Sequence, residues 1–148
     1  MSDGIGGRAA LVGIGQTEFS KESGRTEMQL ACEAVKAAID DAGLRPGDID
    51  GMVTFSVDEN EEIEVARNVG IGNLSFFTRV PHGGGAAAGT VMQAAMAVAT
   101  GVAEAVVCYR AFNERSGFRF GGAGRQPGVT PLWMAPYAPF GFMTPAAW

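Results

Sequence analysis

The apolar positions along the chain follow two alternating rhythms. Residues 9–15, Ala-Ala-Leu-Val-Gly-Ile-Gly, form a short, nearly continuous apolar run of the kind carried by a strand buried on both faces. Met28, Ala31, Val35, Ile39 and Ala42 then recur at helical spacing. Both ends of that helix are written out. Thr26 followed three positions later by Gln29 is a capping box, Gly43 stands where a left-handed C-terminal residue belongs, and Pro46 prevents continuation. Residues 49–57 read as a second strand, 61–69 as a short helix with acidic residues in its first turn, and 74–80 as a third strand. After Gly83-Gly84-Gly85 a third helix runs to Thr100 and stops at Gly101, and residues 105–110 form a fourth strand. Strand and helix alternate throughout, which predicts an α/β fold with a parallel sheet, right-handed crossovers and helices on its faces.

The third helix is unusual. From Val80 through Ala103 there is no Asp, Glu, Lys or Arg. The stretch is long enough to raise the question of a membrane span, but it is built of Ala and Gly with Thr90 and Gln93 inside, and Leu, Ile and Phe are absent. It reads instead as the buried central helix of a layered protein, where small residues let neighbouring backbones approach. A two-layer domain of 148 residues would not bury such a helix completely, so a further layer is expected on its far side.

Composition changes the picture after Tyr109. Five of the seven prolines and eight of the thirteen aromatic residues lie beyond it, without helical or alternating period. A segment of this kind inside a domain is a binding loop, or its aromatics pack on parts of the protein not present in this sequence. Both readings say that the chain ends early. The expected division is therefore a repeat at 1–110 and the beginning of an inserted loop domain at 111–148.

The charge balance, 11 basic against 16 acidic residues for a net charge of −5, lacks any basic run. That removes the electrostatic term on which nucleic-acid affinity rests, and it disfavours an anionic membrane surface. Two cysteines and one histidine cannot build a four-ligand zinc site at the usual spacing, so no metal is expected. The opening Met-Ser-Asp-Gly-Ile-Gly-Gly has no apolar core like that of a secretory signal, which points to a cytoplasmic protein with reduced thiols.

Candidate chemistry centres on His82-Gly83-Gly84-Gly85, between a strand and the first turn of the third helix, where free backbone N–H groups and the positive helix end suit a developing negative charge. Gly83, Gly85 and Ala88 match a G-x-G-x-x-A dinucleotide pattern. That fingerprint also requires an acid at the far end of the next strand, and here Glu104 precedes the strand and Arg110 follows it. An esterase oxyanion loop uses His-Gly-Gly-Gly as well, but the chain has no Gly-x-Ser-x-Gly elbow to supply its nucleophile.

A third chemistry comes from a resemblance. Ala10 to Ser20 (Ala-Leu-Val-Gly-Ile-Gly-Gln-Thr-Glu-Phe-Ser), the helix Ala-Cys-Glu-Ala-Val-Lys-Ala-Ala-Ile-Asp-Asp-Ala-Gly-Leu, Gly47-Asp48-Ile49-Asp50-Gly51, and the Gly-Val-Ala-Glu-Ala-Val-Val after the third helix resemble the N-terminal part of a thiolase. The likeness is to the lipid-transfer-protein branch near the sterol-carrier-type thiolases, and it covers residues 9–110. It implies a two-fold repeated fold in five alternating helix and sheet layers, of which this chain holds the N-terminal repeat. At the position of the thiolase nucleophilic cysteine this sequence has about Gly84. Cys32 lies mid-helix and Cys108 mid-strand, places where a thiol is normally inert.

Acyl transfer through a thioester is therefore not expected. A retro-aldol step needs no thiol: a base deprotonates a β-hydroxyl, the carbon–carbon bond breaks, and backbone donors stabilise the enolate. The combination resembles the thiolase-like aldolases of steroid side-chain degradation, which implies a β-hydroxy acyl-CoA split into a ketone and a shorter acyl-CoA such as propionyl-CoA, with no cofactor. The resemblance also implies a homodimer through the strand at 74–80, a small OB-fold partner joined to an acyl-CoA hydratase, and an acid and base from a C-terminal half.

Within the chain, Gly83, Gly84 and Gly85 are the oxyanion candidates. His82 is a candidate to orient substrate, against a structural role beside the turn. Arg115, Arg119 and Arg125 are candidates for the CoA phosphates, against solvated surface positions. Phe118, Phe120, Trp133 and Phe142 are candidates for an apolar substrate wall, against domain packing. A catalytically silent lipid-acyl-CoA-binding subunit that supports a partner enzyme is the competing class.

Overall fold

The computed structural model describes residues 4–55, 60–80, 87–113 and 135–141. The chain divides into two compact units, one of residues 1–20 and 24–112 and the other of 21–23 and 113–148.

In the first unit, α1 (Glu27–Asp41) starts as its sequence requires. The Thr26 hydroxyl accepts from the Gln29 N–H at 3.1 Å, and the Gln29 side chain accepts from the Thr26 N–H at 2.8 Å. It ends in a Schellman motif: Gly43 has φ +68°, its N–H reaches the Asp40 carbonyl, and the Leu44 N–H reaches that of Ile39. β1 (Gly51–Phe55), α2 (Glu62–Val69), β2 (Phe76–Val80), α3 (Ala87–Thr100) and β3 (Val106–Cys108) follow. The strands form a parallel sheet in the order β2-β1-β3, with Gly51 opposite both Phe76 and Val106. The fold is mixed α/β with a small three-stranded parallel sheet.

β1 is buried along its whole length, as the centre of a parallel sheet should be. The core joins Leu30, Val35 and Ile39 of α1 to Met52 and Val107 of the sheet and Val65, Ala66 and Val69 of α2. At the amino ends of the strands, the Asp50 carboxylate accepts from the N–H groups of Glu104 (2.9 and 3.0 Å) and Ala105 (2.9 Å), with the Ser75 hydroxyl at 3.4 Å. One side chain thus ties the starts of all three strands together.

One expectation needs correction. Residues 9–15 join no sheet. Gly13 and Gly15 lie against α1 instead, so close that a Cβ at Gly15 would stand 2.1 Å from the Ala34 carbonyl oxygen and one at Gly13 2.3 Å from that of Ala38. The Ile14 N–H donates to the Asp41 carboxylate at 2.8 Å. The glycines occupy the face turned to the helix, which leaves Leu11, Val12 and Ile14 exposed. The third helix buries one side, through Thr90, Ala94 and Ala97, while Val91, Met92 and Met96 are exposed, in keeping with a helix that this length of chain does not bury completely. No helix of the described residues is long and apolar enough to cross a membrane.

In the second unit the Ser23 hydroxyl donates to the Asn113 side-chain oxygen at 2.9 Å. Residues Ala135–Phe140 form a 3-10 helix where no regular element was expected. Pro139 within it has no N–H to donate, and the Gly141 N–H closes its last turn on the Ala138 carbonyl at 3.0 Å.

Candidate functional site

Because the three strands are parallel, their carboxyl ends, at Phe55, Val80 and Cys108, share one edge, where open α/β sheets place their ligands. The side chains described there form a connected polar network. The Arg79 guanidinium donates to both carboxylate oxygens of Glu62 at 3.3 Å and to the Asn60 carbonyl at 3.4 Å, with Glu61 at 3.5 Å. The Tyr109 hydroxyl donates to the same Asn60 carbonyl at 3.2 Å, and the Thr54 hydroxyl donates to the Tyr109 carbonyl at 3.4 Å. Asn60, Glu62, Tyr109 and Thr54 are all buried.

Burial works against the Arg79 charge, but the Glu62 hydrogen bond and the charges of Glu62 and Glu61 outweigh it and raise the pKa. The network fixes Arg79 of β2, two residues before Pro81, to the start of α2 and, through Asn60, to Tyr109 just after β3. Beside it, the Arg110 guanidinium lies over the rings of Phe55 (5.1 Å) and Phe112 (4.5 Å).

The two thiols sit away from any cation-rich helix start. Cys108 lies on β3 with its Sγ 3.5 Å from the Thr90 carbonyl, and burial pushes its pKa up to about 11. Cys32 lies within α1 next to the Met28 sulfur, and burial raises its pKa as well, against a lowering by Lys36. Both are free. Among the described residues no group of His, Cys, Asp and Glu could hold a metal ion.

His82, Gly83, Gly84 and Gly85 lie outside the described residues, as do Arg115, Arg119, Arg125, Phe118, Phe120, Trp133 and Phe142. The sequence reading missed the Arg79 network, because Glu62 and Arg79 stand 17 positions apart and only the crossover through α2 and β2 joins them. The one signal available was a single charged residue inside the strand at 74–80. Arg110 was noticed only as the residue that ends a strand.

No family model matches the chain. It is 66% identical over 146 residues to a steroid side-chain-cleaving aldolase of Thermomonospora curvata, covering 96% of this chain and 37% of that protein. It is 64% identical over 117 residues to the 17-hydroxy-3-oxo-4-pregnene-20-carboxyl-CoA lyase of Mycobacterium tuberculosis, covering 79% of this chain and 30% of that one. A solved chain described as an Ltp2-ChsH2(DUF35) aldolase superposes with a TM-score of 0.83 at 65% identity, over 97% of this chain and 36% of its own. The chain thus spans about a third of the length of the aldolase and lyase chains it matches.

Proposed function

We propose that this sequence is the amino-terminal part of a thiolase-like aldolase that cleaves a β-hydroxy steroid side-chain acyl-CoA into a ketone and a shorter acyl-CoA such as propionyl-CoA. The observation that carries the reading is 66% and 64% identity to two enzymes named for this kind of cleavage. A base takes the proton of the β-hydroxyl, the Cα–Cβ bond breaks, the ketone departs, and the thioester enolate is reprotonated at carbon. Gly83, Gly84 and Gly85 offer backbone N–H groups to the enolate oxygen, and His82 orients the substrate. Arg115, Arg119 and Arg125 meet the CoA phosphates, and Phe118, Phe120, Trp133 and Phe142 line the sterol. The main acid and base come from chain beyond Trp148. The high pKa of Cys108 supports a route without a thioester-forming thiol.

The rest of the reading follows the same relatives. Residues 1–110 form one repeat of a five-layered protein, and 111–148 begin a loop domain. The open side of α3, with Val91, Met92 and Met96, is where a further layer would pack. A homodimer through the strand at 74–80 is supported by the position of β2 at the sheet edge with Phe77 exposed. An OB-fold partner joined to an acyl-CoA hydratase is supported by the two components named for the solved aldolase. The complex works in the cytoplasm, where its free thiols stay reduced.

The test incubates the full-length protein and its partner with a β-hydroxy steroid acyl-CoA and follows products by mass spectrometry. Equal amounts of ketone and propionyl-CoA are expected. Tight binding without turnover would overturn the lyase reading in favour of a delivery subunit.

A further inference from the structure

Among the described residues Arg25, Arg45, Arg67 and Arg79 each sit against a carboxylate. Arg110 does not. It is exposed, no described carboxylate lies within ion-pair distance, and its guanidinium lies over the Phe55 and Phe112 rings at 5.1 and 4.5 Å. Phe55 is itself 2% exposed at the end of the central strand, so the ring beneath the cation is held by the sheet. Two aromatic faces orient a planar cation while leaving its N–H edges open, and guanidinium edges match phosphate oxygens in pairs. The position is two residues beyond β3, on the carboxyl edge of the parallel sheet.

We propose that Arg110 is an anion site that binds a phosphate group of the CoA moiety, its guanidinium oriented by the Phe55 and Phe112 rings. The assignment rests on the acyl-CoA reading above and adds a contact within the α/β unit itself. A chain with net charge −5 repels a polyanionic ligand at long range, so a cation seated on two rings and free of any described acid gives such a ligand a local attraction.

The test is calorimetric binding of CoA and of dephospho-CoA to the full-length protein. Arg110→Gln is expected to raise the Kd for CoA about 10- to 100-fold. Arg110→Lys should recover part of that loss, because it keeps the charge without the planar fork. Phe112→Leu, which leaves the cation but removes one ring, should give a smaller rise and keeps the idea testable if Arg110→Gln fails to fold. If the Arg110→Gln penalty vanishes with dephospho-CoA, the contact is to the 3′-phosphate. If it persists, the contact is to the diphosphate, and either result supports the site. CoA binding by the wild type with an unchanged Kd in Arg110→Gln, or in both Arg110→Lys and Phe112→Leu, would overturn the Arg110 assignment alone. A wild type that binds no CoA would overturn the assignment and the acyl-CoA reading together.

Discussion

Cys108 gives the sharpest quantitative expectation, because the lyase reading requires sulfur to be a bystander. Its thiol is held between β3 and the Thr90 carbonyl of α3, and burial moves its pKa from 9.0 to about 11. Alkylation proceeds through the thiolate. At pH 8 a thiol of pKa 9.0 is about 10% ionised, whereas one of pKa about 11 is about 0.1% ionised, a difference of about 100-fold. The perturbation is iodoacetamide at pH 8, with time points quenched and the peptide containing residue 108 quantified by mass spectrometry. The same protein unfolded in urea is the reference. Labelling in the native protein should be about 100-fold slower and should accelerate about tenfold per pH unit up to about pH 11. Native labelling within about 3-fold of the unfolded reference would refute the argument that burial silences this thiol.

Further expectations concern stability and follow from single contacts. The same thiol stays protonated in the fold while the unfolded chain ionises, so stability should fall as pH rises from about 9 toward about 11, by at most about 2–3 kcal/mol. Urea titrations of wild type and Cys108→Ala across that window check the sign, and identical slopes would contradict it. Asp50→Ala removes a charged acceptor from the N–H groups of Glu104 and Ala105. A loss of about 2–3 kcal/mol is expected, with faster hydrogen exchange at those two amides, and unchanged exchange there would disprove the tie. Gly15→Ala forces a Cβ into the Ala34 carbonyl. A cost of about 1–3 kcal/mol and new protease sensitivity in residues 9–20 are expected, and an unaltered Tm would show that the segment does not rest on α1.

What could be read from the sequence was local. The Thr26–Gln29 box and the Gly43 terminator specify α1 within a few residues, and the structure places both. The βαβ alternation around β1, β2 and β3 was legible for the same reason, since each crossover carries its own cap and period. Residues 9–15 were misread because a continuous apolar run signals a buried strand only when a neighbouring strand pairs with it. Here Gly13 and Gly15 serve close approach to Ala34 and Ala38, which a hydrophobicity pattern cannot express. The polar edge was hidden by distance along the chain: Tyr109 and Asn60 are 49 positions apart, and Arg110 meets Phe55 only because β1 and β3 are neighbours.

The most direct trial of a sulfur-independent carbon–carbon lyase is a single-turnover measurement on the full-length protein with its partner, comparing wild type with the Cys32→Ala, Cys108→Ala double variant on a β-hydroxy steroid acyl-CoA. The account predicts stoichiometric ketone and propionyl-CoA from both proteins, at rates within a few-fold of each other. Loss of product formation in the double variant while it still folds and binds CoA, or an acyl-enzyme adduct on either sulfur in the wild type, would contradict it.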